Sequence, residues 1–165
     1  MIHRVQIIES NLLRLTVRGE YALRALTHLG LRYSAGVIQI PAISTAENIP
    51  KRFLEQILND LKSAQVVESK RGVAGGYRLS RPPEEITLAV IIRHLEGALA
   101  PVSCVSERFY EKCSCPDEAR CAIRSVMKEV RDATVKIVER VTLAELCDRA
   151  RKLQSEPASL LDYVI

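Results

Sequence analysis

The sequence predicts a mainly α-helical fold with a small β-wing and one long helix set apart from the main core. Three observations predict it. Apolar residues recur at helical spacing over most of the chain, one pair of strand-like runs flanks a glycine-rich stretch at 71–76, and a coiled-coil-like seam runs through 119–137. At 165 residues, 47% hydrophobic and 27% charged, the chain is long enough to bury one good core and too apolar for disorder.

Thr16 is placed to cap a first helix over 17–33, whose Ala22, Leu26, Leu29 and Tyr33 share a face, and SAG at 34–36 stops it. A short second helix runs from Pro41, tolerated in a first turn, to about Glu47. Asn48 and Ile49 make a turn, and Pro50 opens a third helix to about Ala64. There Leu54, Ile57, Leu58 and Leu61 follow the i, i+3, i+4, i+7 rule, which turns Lys51, Arg52, Gln56 and Asn59 outward. VVESK (66–70) and YRLSR (77–81) read as strands joined by RGVAGG, whose glycines supply positive φ angles. Pro82 and Pro83 end the hairpin. Thr87 then caps a fourth helix with the stripe Leu88, Ile91, Ile92 and Leu95, stopped at Gly97. Helix, short helix, helix, two-stranded wing, helix is the order of a winged helix-turn-helix domain, here over 13–97.

Residues 98–115 lack a sustained period and form a cysteine-rich loop. Pro116, Asp117 and Glu118 read as a helix first turn. After them Ala119, Ile123, Val126, Val130, Ala133 and Ile137 alternate spacings of four and three, a seam on a helix of about 25 residues and roughly 37 Å. Such a seam must be covered, and a groove-reading protein usually works as a two-fold dimer on a palindrome, so 116–153 is read as a dimerisation helix plus a short last helix capped by Thr142. Cys147, beside Leu143 and Leu146, is a packing residue. Residues 1–12 are an N-terminal extension and 154–165 a polar tail.

Cys104, Cys113, Cys115 and Cys121 fall within eighteen consecutive residues, the last three inside KCSCPDEARC, a stretch too polar to bury them. Soft thiolates gathered in one loop point to a metal rather than to disulfides, and an odd total of five excludes full pairing. Charge is asymmetric: residues 1–81 carry twelve Lys/Arg against six Asp/Glu, and residues 82–165 twelve against fourteen, so the first half is the candidate for a polyanion. The start, MIHRVQIIESNLLRL, offers neither a signal-peptide core nor a membrane span, and the expected location is the cytoplasm. Three histidines, no defensible nucleophile–base arrangement and no glycine loop leading into a helix argue against an enzyme.

Taken together, LRLTVRGEYALRAL (13–26), IPKRFLEQILNDLKSAQVVESKRGVAGGYRLSRPPEEITL (49–88), LEGALAPVSCV (95–105) and VTLAEL (141–146) resemble the IscR/NsrR/CymR type of bacterial transcription regulator, the Rrf-two family. The resemblance implies a homodimeric winged-helix repressor or activator on palindromic double-stranded DNA, often controlled by an iron-sulfur cluster, [2Fe-2S] or [4Fe-4S]. It places Lys51, Arg52 and Gln56 at base edges and Ser69, Arg71, Gly75 and Gly76 of the wing against the duplex, while Phe53 and Tyr77 are packing residues. Cys104, Cys115 and Cys121 match the cluster-binding cysteines, with Cys113 as an alternative to Cys115. The fourth position departs from the IscR-like pattern, because Ala122, Ile123 and Arg124 follow Cys121 where a histidine is usual. NsrR-like members use a carboxylate from the partner's first helix, which matches Glu20 of the partner subunit; an intrahelical pair with Arg24 is the competing role. His28 and His94 are read as satisfied or surface histidines. CymR-like relatives work without a cluster and answer to a metabolic enzyme, and direct thiol oxidation at the same cysteines is a further alternative.

Overall fold

The computed structural model describes residues 15–155; the extension 1–12 and nearly all of the tail 154–165 lie outside them. Six helices and a two-stranded antiparallel sheet follow in the order α1 (Val17–Leu31), α2 (Ile40–Glu47), α3 (Lys51–Ser63), β1 (Val67–Lys70), β2 (Gly76–Leu79), α4 (Leu88–Glu96), α5 (Ala122–Arg140) and α6 (Leu143–Ser155). The Thr16 hydroxyl accepts the Gly19 N–H at 3.1 Å and so caps α1. Tyr33 belongs not to α1 but to a 3-10 turn, Tyr33–Ala35, after which Gly36 redirects the chain at φ 85°. Asn48, left-handed at φ 49°, ends α2 and makes the tight turn into α3.

The core is the one the apolar periods imply. Ala22, Ala25, Leu26 and Leu29 of α1 meet Ile43 of α2 and Leu54, Ile57, Leu58 and Leu61 of α3, with Val67, Leu79, Ile91 and Leu143 closing the cluster. Leu58 is completely buried, and Leu58→Ala is expected to cost about 2–5 kcal/mol, read as a lower urea midpoint.

The wing is braced rather than free. Its register pairs Val67 with Leu79 and Lys70 with Gly76. Tyr77 also exchanges both main-chain hydrogen bonds with Ile38, at 2.8 and 2.9 Å, which ties β2 to the segment leading into α2. A Cβ on Gly76 would run into the Ile38 carbonyl, and one on Gly75 into the Lys70 and Gly72 carbonyls. Both glycines therefore have a packing reason to be small. In this hairpin only Gly72 takes the positive φ expected of the loop, at 109°.

Past the wing the chain returns to the core. The Leu88 N–H donates to Val141 at 2.9 Å and the Leu143 N–H to Ile86 at 2.7 Å, and α6 then lies along α1. Thr142 caps α6 by accepting from the Glu145 N–H at 3.2 Å, whereas Thr87 sits at the start of α4 without a side-chain cap bond. Cys147 is buried against α1, and a Cβ on Gly30 would fall on its sulfur. Gly30→Val should lower the melting temperature through this overpacking, by about 1–3 kcal/mol in stability, and Cys147→Ala in the same chain should recover part of it.

Helix α5 begins at Ala122, not at Pro116. The Asp117 carboxylate accepts the N–H groups of Ala119 (3.0 Å) and Arg120 (3.2 Å), which closes a separate turn, and only then does the Cys121 sulfur accept from the Arg124 N–H and cap the helix. The helix is accordingly 19 residues, roughly 28 Å, and Ala119 is left off its seam. No α5 residue is buried: Ile123, Val126 and Ile137 are 67%, 53% and 55% exposed. Among the described residues no helix is long and apolar enough to cross a membrane.

Candidate nucleic-acid interface and cysteine site

The face that α3 turns from the core carries two cations at the helix start and a third, Lys62, in the last turn. Lys51, Arg52 and Gln56 are exposed on the first two turns, and neither Lys51 nor Arg52 makes an ion pair among the described residues. Phe53 sits with them, 56% exposed, and is not a packing residue. The spacing contained this: with Leu54, Ile57, Leu58 and Leu61 inward, position 53 falls on the outer face beside 56. The far end of α3 is held by α1 and α4, since Arg18 pairs with Asp60 and His94 Nε2 donates to the Asp60 carbonyl at 3.0 Å.

In the wing, Arg71 is exposed without an ionic partner among the described residues, and Val73 at the tip is fully exposed. The Gln39 side-chain amide donates to the Val73 carbonyl at 3.0 Å, a second tie between the wing and α2. Ser69 accepts from Lys62 Nζ at 2.8 Å, so its hydroxyl places a cation of α3 at the base of the wing. Arg78 is neutralised by Glu68 on the opposite strand at 2.5 Å, and Tyr77 is half-buried with its hydroxyl on Asn59. Lys51, Arg52, Lys62, Lys70 and Arg71 are thus exposed cations of this face without an ion pair among the described residues, set around the small or neutral side chains a duplex needs to approach.

The cysteine loop is fastened at both ends to α5. At one end a 3-10 turn, Ser103–Val105, buries Cys104, and its carbonyls are held by two arginines of α5: Arg124 Nε donates to Cys104 at 3.2 Å and Arg131 to Val105 at 2.9 Å. At the other end stands Cys121, the cap of α5. Neither arginine was singled out by sequence, because a cation on an amphipathic helix carries no mark of a loop partner.

Cys115 and Cys121 bring their sulfurs to 3.6 Å, and the Cys113 thiol lies close enough to act on both Cys104 and Cys115. The four thiols form a series rather than a finished cage: among the described residues no three such donors yet converge on a point an ion could occupy. Their acidities diverge. The backbone N–H of Arg124, with help from Cys115, lowers the Cys121 thiol below its ordinary value, the expected effect of a helix N-terminus. Burial raises Cys104, and hydrogen bonding to Cys113 and Cys121 pushes Cys115 up to about 12. Cys104 and Cys113 line a cavity of about 910 Å³ shared with Leu15, Ile92 and Val138.

Glu20 is elsewhere, exposed on α1 and 3.6 Å from Arg24 of its own helix. His28, nearly buried, bonds Glu47 through Nδ1 at 2.8 Å, so both named histidines are satisfied within the protein.

A family model described as Rrf2, iron-dependent transcriptional regulator, matches residues 15–149. The chain belongs to the Rrf2 family. This Rrf2 chain is 39% identical over 136 residues, 80% of its length, to an rrf2-like HTH-type transcriptional regulator of Rhodobacter capsulatus, covering 91% of that protein. Among solved structures it is similar to CymR, the global cysteine regulator of B. subtilis, with a TM-score of 0.71 and 30% identity over 83% of this chain and 98% of that one. It shares its fold with T. potens IscR, at TM-score 0.70 and 24% identity over 89% and 95% of the two chains. The Rrf2 protein is therefore a DNA-binding transcriptional regulator of winged-helix fold and not an enzyme.

Proposed function

We propose that this regulator is a cytoplasmic homodimer that reads a palindromic operator, and that the state of an iron-sulfur cluster held by its cysteine loop sets its operator affinity. The observation that carries the reading is the loop itself: soft donors gathered between a turn pinned by Arg124 and Arg131 and a cysteine capping α5. The donor set fits such a group, since thiolates are its usual ligands and Cys121 already sits where a thiolate is stabilised. Cys104, Cys115 and Cys121 are the proposed base set, leaving one place for a fourth donor, for which the resemblance offers Glu20 of the partner subunit. When bound, the cluster supplies a redox- and nitric-oxide-sensitive cross-link. The chain does the rest. Cys104 and Cys121 lock the loop onto the first turn of α5, and Arg93 of α4 bonds Glu139 of α5 at 2.6 Å, so the reader and α5 are coupled by direct contact.

Exposure of Ile123, Val126 and Ile137 on a helix with no buried residue supports the dimer. The reader domain supports the DNA partner: Lys51, Arg52 and Gln56 at base edges, Arg71 in a minor groove, Ser69 orienting Lys62, and Gly75 and Gly76 letting the wing backbone lie close.

Protein purified without oxygen is expected to absorb in the visible and to contain iron and sulfide. Colourless protein whose operator binding ignores iron chelation would sink the idea. Cys121→Ala should abolish the cluster-dependent change in affinity, of order 5–150-fold for such couplings, while leaving apo-protein binding intact in a gel-shift assay.

Two cluster-free readings have their own support. The 3.6 Å approach of Cys115 and Cys121 favours direct thiol oxidation, which predicts peroxide-dependent loss of free thiols in metal-free protein. The likeness to CymR favours control by a metabolic-enzyme partner, which predicts stoichiometric capture of that enzyme by apo-protein.

A further inference from the structure

The cysteine that the family pattern leaves over is the one the fold places in the middle of the series. Cys104 and Cys121 are fixed from α5, the first by the grip of Arg124 and Arg131 on its turn and the second as helix cap. Between them the chain bends at Ser114, with Cys113 on one side and Cys115 on the other. Cys115 reaches Cys121 at 3.6 Å, and the Cys113 thiol acts on Cys104, with which it lines one cavity, and on Cys115. Each sulfur therefore has another sulfur as its neighbour, in the order 104, 113, 115, 121. Choosing Cys113 in place of Cys115 would break the contact with Cys121, and choosing Cys115 alone leaves out the thiol that acts on Cys104.

Glu20 has the opposite surroundings. It is exposed on α1, matched by Arg24 at 3.6 Å, and its carboxylate is a hard donor where three soft ones set the preference.

We propose that Cys113 is a ligand in its own right, so that Cys104, Cys113, Cys115 and Cys121 make an all-thiolate set within one subunit and Glu20 of the partner subunit is not required. The proposal rests on the cluster reading above and deepens it. A set closed by four thiolates has no readily displaced oxygen ligand. The site then responds through the oxidation or loss of the whole group rather than through exchange at one labile position, and each subunit carries a complete site before it dimerises.

The test uses full-length wild type, Cys113→Ser and Glu20→Gln, purified without oxygen and, where empty, reconstituted with ferrous iron and sulfide. The readouts are iron and sulfide per subunit and the Mössbauer spectrum. Wild type and Glu20→Gln are expected to show the same spectrum with sulfur-ligated iron only, and Cys113→Ser to lose iron or gain an oxygen-ligated site of higher isomer shift. If Cys113→Ser leaves the spectrum unchanged, the proposal is overturned while the cluster reading stands; a change confined to Glu20→Gln would assign the position to the carboxylate. Wild type that takes up neither iron nor sulfide overturns both. Should Cys113→Ser fail to fold by circular dichroism, the wild-type and Glu20→Gln spectra decide alone, because an oxygen-ligated site in wild type that Glu20→Gln alters contradicts an all-thiolate set.

Discussion

Ile137→Glu is expected to convert the protein from a dimer to a monomer and to weaken operator binding by about 10²–10⁴-fold. Ile137 is more than half exposed on a helix with no fully buried residue, so a charge there costs the monomer little and sets two like charges against each other in a paired seam. The operator loss follows from bivalency: two readers held together bind the second half-site as an intramolecular event, and separated readers do not. Light scattering after size-exclusion chromatography reads the first effect and quantitative footprinting the second. Ile137→Leu should leave both unchanged. A monodisperse dimer of Ile137→Glu that keeps wild-type operator affinity would move the interface off α5.

Arg52→Ala is expected to cost about 1–3 kcal/mol of operator binding, roughly 5–150-fold, and to relax sequence preference at one base pair in each half-site. Arg52 stands in the first turn of α3, exposed and free of an acidic partner among the described residues, so its five donors are available to a guanine edge. Lys62 occupies the other end of the same helix, already bonded to Ser69. Lys62→Ala should weaken binding to all sequences alike and reduce the salt slope by about one. Equal losses for the two variants on unrelated DNA would remove Arg52 from base reading.

The reader domain was legible because its signals are local and agree with one another. A cap at Thr16, a left-handed Asn48, a four-residue apolar stripe on α3 and a glycine-rich hairpin each fix one element, and together they leave a single order. What sequence missed was decided by particular side chains in competition with a pattern. Pro116-Asp117-Glu118 has the composition of a helix start, yet Asp117 spends its carboxylate on a local turn and delays α5 to Ala122. Phe53 looks like core by residue type and is surface by phase. The anchoring of the cysteine loop lay beyond any local signal, since Arg124 and Arg131 reach carbonyls twenty or more positions back in the chain. The order of the four sulfurs likewise depends on where that anchoring lets the loop bend.

The double hydrogen bond between Tyr77 and Ile38, with Gln39 reaching Val73, has a consequence for how a signal can be expressed on DNA. It rivets the wing to the same scaffold that carries α3, so, on the proposed reading of a dimer with α3 in the major groove, each half would present one fixed stencil. Two operators favoured in different cellular conditions should then share their half-site letters and differ in the number of base pairs between them.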